Sequence, residues 1–203
     1  MEGTDPVNKK LVAALSGGAA LVLMLTGCGG DDGDKKLDDW AKKVCGQMQP
    51  QVKKVLDANS AIASVQLEQD SKKVQQTDSA AFQDNADAYK SLATSIDSAG
   101  APPVKEGETT QKNAVKALND LSGAYEGLKK QIDGMNTSDK QKFSDGLNNI
   151  VAGLNKLNSK SENALKKLQA GNVGESMKKQ PGCRRTSTSA TPSGSVSPSG
   201  SQK

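Results

Sequence analysis

The sequence predicts an all-α protein: an antiparallel up-down bundle of about four helices, stapled by one disulfide and followed by a disordered C-terminal tail. Three observations predict it. From Leu37 onward apolar residues recur at steps of three and four, the spacing of a helix face rather than of a half-buried strand. Aromatic residues make up 2% of the chain (Trp40, Phe82, Tyr89, Tyr125 and Phe143), so the core must be built from Leu, Ile, Val and Ala, which suits closely spaced helices. Breaks rich in Gly and Pro cut the pattern into helix-length segments with short connections, and short connections favour antiparallel neighbours.

The first segment carries Leu37, Trp40, Val44, Met48, Val52 and Val55, with Pro50 inside it, where a kink or a split is expected. A second pass starts near Ile62, Val65 and Gln69 and turns polar through "EQDSKKVQQTDS". It resumes with Phe82, Ala86, Tyr89, Ala93 and Ile96 in a heptad-like register. "GAPP" at Gly100–Pro103 is a stop signal. Val115, Leu118, Leu121, Tyr125, Leu128, Ile132 and Met135 form the third segment. The break "GMNTSD" follows, with Thr137 or Ser138 as the expected cap of the next helix. The fourth carries Phe143, Leu147, Ile150, Leu154, Leu157, Ala164, Leu165 and Leu168 and closes at "AGNVG"; a short segment then leads to Cys183.

Ahead of the bundle, Lys9 and Lys10 precede "LVAALSGGAALVLMLTG", a charged region and an apolar run of the kind found in secretory signals. The run is too short and too Gly-interrupted for a membrane span of roughly 20 residues. It ends on Leu25-Thr26-Gly27-Cys28, which resembles the lipobox of bacterial lipoproteins: a leucyl residue, two small residues and a cysteine. That resemblance implies cleavage between Gly27 and Cys28, a diacylglyceryl thioether on Cys28, and acylation, as by palmitate, of the new amino terminus. More than one acyl chain holds a protein on a bilayer where a single chain binds reversibly, at ~0.8 kcal/mol per buried methylene. The expected organisation is therefore a signal peptide over 1–27, a lipidated start and flexible tether over 28–36, a helical domain over 37–183, and a Ser/Thr/Pro-rich tail over 184–203. Asp31, Asp32 and Asp34 of the tether lack the spacing and distal Glu of a calcium loop.

Three cysteines are an awkward number for an exported chain. With Cys28 committed to lipid, Cys45 and Cys183 remain as a pair in an oxidising compartment. A bridge between them would enclose nearly the whole helical region, for which loop entropy gives ~4–5 kcal/mol. Two buried thiols or a redox pair are the alternatives, and the absence of a CxxC weighs against the last.

The runs "LDDWAKKVCGQMQPQVKK", "QQTDSAAFQDNADAYKSL", "GAPPV", "FSDGL" and "KKQPGC" resemble small secreted lipoproteins of streptomycetes and related actinomycetes. The resemblance covers most of residues 37–183, and the Trp40/Cys45 segment and Cys183 are its most specific parts. It implies a lipid-anchored helical bundle with the same cysteine pattern, and it brings no catalytic residue.

Net charge is +4, and the tail after Cys183 carries Arg184, Arg185 and Lys203 with no acid, so the middle is near neutral with interspersed charges. That excludes the basic stripe of a nucleic-acid protein. Without histidine, imidazole-based nucleophile systems and the commonest metal ligand are absent. Ser71, Lys72 and Lys73 read as solvated surface rather than a Ser–Lys pair. Asp84 with Asp87, or Asp139 with Asp145, are formal acid pairs without aromatic sugar platforms. Gly123, Gly127, Gly146 and Gly153 inside helical segments predict close helix approach or, more sharply, a groove bordered by Asn148, Asn149, Asn155 and Asn158. The expected function is a non-catalytic binding or structural module on the outer face of the cell membrane. It is expected to take no cofactor and no metal, with the membrane and an envelope partner as its contacts. A carrier of an apolar ligand between the helices is the alternative, and an envelope hydrolase a remote one.

Overall fold

The computed structural model describes residues 31–184, apart from the side chains of 31, 158–165 and 167. The expected signal peptide, Gly27, Cys28 and the tail from 185 lie outside the described residues. The chain divides into two units, Met1–Lys36 and Leu37–Lys203. Of the first, the described part is Asp31–Lys36, and it is helical rather than a loose tether.

Among the described residues six helices follow one another: α1 (Asp31–Ser64), α2 (Ser71–Ala99), α3 (Gly107–Asp133), α4 (Lys140–Leu168), α5 (Gly171–Lys179) and α6 (Pro181–Arg184). There is no strand among the described residues. The predicted split at Pro50 does not occur; α1 runs through it. Proline removes one helical hydrogen bond, to the carbonyl four residues back. That carbonyl belongs to Gly46, which is exposed like Pro50, so water can satisfy it.

Helix α2 starts at Ser71, not near Ile62 and Val65, which lie in α1 and in the turn that follows it. Asp70 caps it, its Oδ1 accepting from the amides of Lys72 (2.9 Å) and Lys73 (3.3 Å). It ends at Gly100, whose φ of +78° is natural only for glycine. The indole N–H of Trp40 donates to the Gly100 carbonyl at 2.9 Å and so ties α1 to this turn. The start of α4 differs from expectation too: its cap is Asp139, whose Oδ1 accepts from the Lys142 amide (3.1 Å), rather than Thr137 or Ser138.

Cross-helix bonds fix an antiparallel order. Trp40 meets Gly100 and Asn59 meets Asn85, which runs α1 against α2. Gln75 donates to the Ile132 carbonyl, and Ser122 to the Ala86 carbonyl at 2.8 Å, which runs α2 against α3. Met135 lies against Gly146 and Leu128 against Gly153, which runs α3 against α4. The result is the predicted four-helix up-down bundle, with α5 and α6 as a closing clasp.

Two apolar cores lie along the bundle. The first joins Leu37, Trp40, Val44 and Met48 to Leu92, Ile96, Leu118, Leu121, Leu168, Val173 and Met177, with both bridged cysteines. The second joins Val65, Val74, Phe82, Tyr125, Leu128, Ile132, Phe143 and Ile150. Tyr89 packs against both, and its ring stacks on Tyr125 with centroids 5.5 Å apart. Burial raises the phenol pKa of both tyrosines.

Candidate functional site

Cys45 and Cys183 form the disulfide, with Cα atoms 5.2 Å apart across a sequence separation of 138. Both are buried in the first core. Around the bridge the clasp is reinforced: Lys179 Nζ lies 3.3 Å from an Asp38 carboxylate oxygen. The hydroxyl of Ser176 and then Lys179 hold the Asp38 pKa below its usual range. The expected pairing of these cysteines is thus present.

Between α1 and α2 runs an open groove of about 440 Å3, lined by Asp57, Ala58 and Ala61 on one side and Gln76, Thr77, Ala80, Ala81 and Asp84 on the other. Small side chains make its walls, and carboxylates stand on both helices. Asp57 is paired with Lys53 at 2.6 Å in an exposed i,i+4 contact worth a few tenths of a kcal/mol. Next to the groove the buried surface is unusually polar. Asn85 is fully buried and donates to Asn59 Oδ1 at 3.3 Å, while its own Oδ1 has no partner among the described residues. Asp78 is 6% exposed, its Oδ1 is likewise unpartnered, and burial pushes its pKa up to about 6. On α2, Asp78 and Asn85 flank Ala81, which lines the groove. A second open groove of about 400 Å3 is lined by Glu106, Thr109, Thr110, Asn113, Ala114, Leu168 and Ala170.

The formal catalytic sets of the sequence are not assembled. Lys73 binds Glu68 at 2.7 Å beside the start of α2. Asp139 is occupied as a helix cap, and Asp145 accepts from Gln141. Asp87 accepts from Gln83, one helical turn away, while Asp84 stands on the groove rim. Among the described residues no group of three or more His, Cys, Asp or Glu could hold a metal ion.

The glycines divide. Gly146 meets Met135 Sδ and Gly153 meets Leu128 Cδ2, at 2.8 and 3.1 Å from where a β-carbon would sit, so these two serve close packing as expected. A β-carbon on Gly123 or Gly127 would meet nothing within 4 Å, so these two serve neither packing nor a tight groove. Asn148, Asn149 and Asn155 are exposed on α4, away from both grooves.

Sequence reasoning passed over Asp57, Asp78 and Asn85. A signal for the last two was present: both fall on the apolar stripe of α2 beside Val74, Ala81 and Leu92, where a polar residue is out of pattern.

No helix among the described residues is long and apolar enough to cross a membrane. Neither a family model, nor a curated protein, nor a solved structure matches the chain.

Proposed function

We propose that this protein is a lipid-anchored module on the outer face of the cell membrane, of the kind its resemblance to small actinomycete lipoproteins implies, and that it binds or braces an envelope partner without catalysis. The observation that carries the reading is the parity of its cysteines. Cys45 and Cys183 are bridged, a state that persists in oxidising compartments, and the one left over is Cys28 at the end of "LTGC". An export signal and a lipidation site are the economical account of that remainder.

The test is Cys28→Ser in the native host. Loss of membrane association together with loss of palmitate labelling is the expected result, and a mutant that stays on the membrane refutes the anchor. The carrier alternative is not favoured, because both grooves are open and lined largely by polar or small side chains.

A further inference from the structure

The two halves of α1 are held in different ways. Leu37, Trp40, Ala41, Val44, Cys45 and Met48 are all buried in the first core, and this half is also bonded to Gly100 and bridged to Cys183. Beyond Pro50 burial falls away. Between 51 and 64 Ala58 alone is fully buried, Val52, Val55 and Ile62 are half-buried, and Leu56 is exposed. Residues 51–61 belong to neither core; anchorage returns with Ile62, which packs half-buried against the second core, and with the buried Val65.

The α1 side chains that line the groove, Asp57, Ala58 and Ala61, are short or polar. The cross-helix bond there is the Asn59–Asn85 contact at 3.3 Å, and buried oxygens of Gln51 and Asn85 have no partner among the described residues. Separating the helices at this level would give those oxygens water, so opening here costs less than opening an apolar seam. The change of anchorage falls at Pro50, where the helix lacks one backbone hydrogen bond.

We propose that residues 51–61 bow away from α2 between a hinge at Pro50 and the Ile62–Val65 anchor, while residues 37–48 stay fixed. The movement widens the groove between Asp57 and Asp84 and uncovers Asn85. The bundle thus carries a face that forms and closes without loss of the rest of the fold. The proposal does not depend on the lipid anchor.

Hydrogen exchange followed by mass spectrometry on the full chain tests it. The expected result is a step at Pro50, with amides of 52–61 exchanging at least about tenfold faster than those of 37–48. Pro50→Ala, at an exposed position, restores the N–H facing the Gly46 carbonyl and is expected to shrink that step. Equal protection along both halves overturns the hinge, as does a smooth gradient towards Ser64, which is fraying. A step unchanged in Pro50→Ala overturns it too.

Discussion

Gly182 lies so close to the backbone carbonyl of Cys45 that a β-carbon at position 182 would overlap it. The residue before the closing cysteine is therefore constrained by the first cysteine's own backbone, and the bridge and the glycine form one fitted joint. Gly182→Ala is expected to force α6 away from α1 and to cost about 1–3 kcal/mol, the usual range for overpacking. Thermal melting of the oxidised protein measures it; an unchanged melting temperature would mean that the joint yields freely.

Removing the bridge is a separate matter. Cys45→Ser with Cys183→Ser releases a constraint spanning 138 residues, for which loop entropy gives about 5 kcal/mol. The second core contains neither cysteine, and Trp40 still bonds Gly100, so helicity should survive. Circular dichroism is expected to show a native-like spectrum at low temperature and a melt displaced well downward. A coincident melt would show the bridge to be energetically idle.

The interior glycines predict opposite responses. Gly123 lies in α3 with nothing within 4 Å of a β-carbon, so Gly123→Ala should gain about 1 kcal/mol of helix propensity and raise the melting temperature by about 2–4 °C. Gly153→Ala brings a methyl to 3.1 Å from Leu128 Cδ2 and must displace it, so that gain should shrink or reverse. Equal shifts for the two variants would contradict the packing described here.

What was legible in the sequence was the part written in side-chain period. The stripes of Leu118, Leu121, Tyr125, Leu128 and Ile132 announce α3, and the even pair of cysteines announces the bridge. Helix starts were misplaced, the second read from Ile62 and the fourth from Thr137 or Ser138, because polar stretches hide caps. In "EQDSKKVQQTDS" Asp70 supplies its carboxylate to two amides, and α2 is already under way before the next large apolar residue after Val74. Pro50 looked like a break because the rule concerns the lost hydrogen bond, while the outcome depends on whether the freed carbonyl faces water. The groove was not legible at all. Asp57 and Asp84 are unremarkable on their own helices and become neighbours of one cleft only through the register of α1 against α2.

Asp78 makes the last prediction, and its sign follows from burial. Its carboxyl sits at 6% exposure with an unpartnered oxygen, and its pKa rises from 3.8 to about 6. The folded state therefore holds this proton more tightly than the unfolded chain does. Above pH 6 the protein bears the full cost of a buried charge, and as pH falls from about 6 towards 4 that cost is relieved, so stability rises. At 1.36 kcal/mol per unit the relief is at most about 3 kcal/mol. Asp38, Glu68, Asp133, Asp139 and Glu175 act in the opposite sense. Hydrogen bonds hold their pKa values low, so whatever they contribute is lost only at still lower pH. Between pH 4.5 and 6 Asp78 should thus dominate. Denaturant melts of the wild type are expected to show greater stability at pH 4.5 than at pH 7.5, and Asp78→Asn should flatten the curve in that window. A wild type that loses stability steadily from pH 7.5 to 4.5 would show that Asp78 is ionised and solvated in the folded protein.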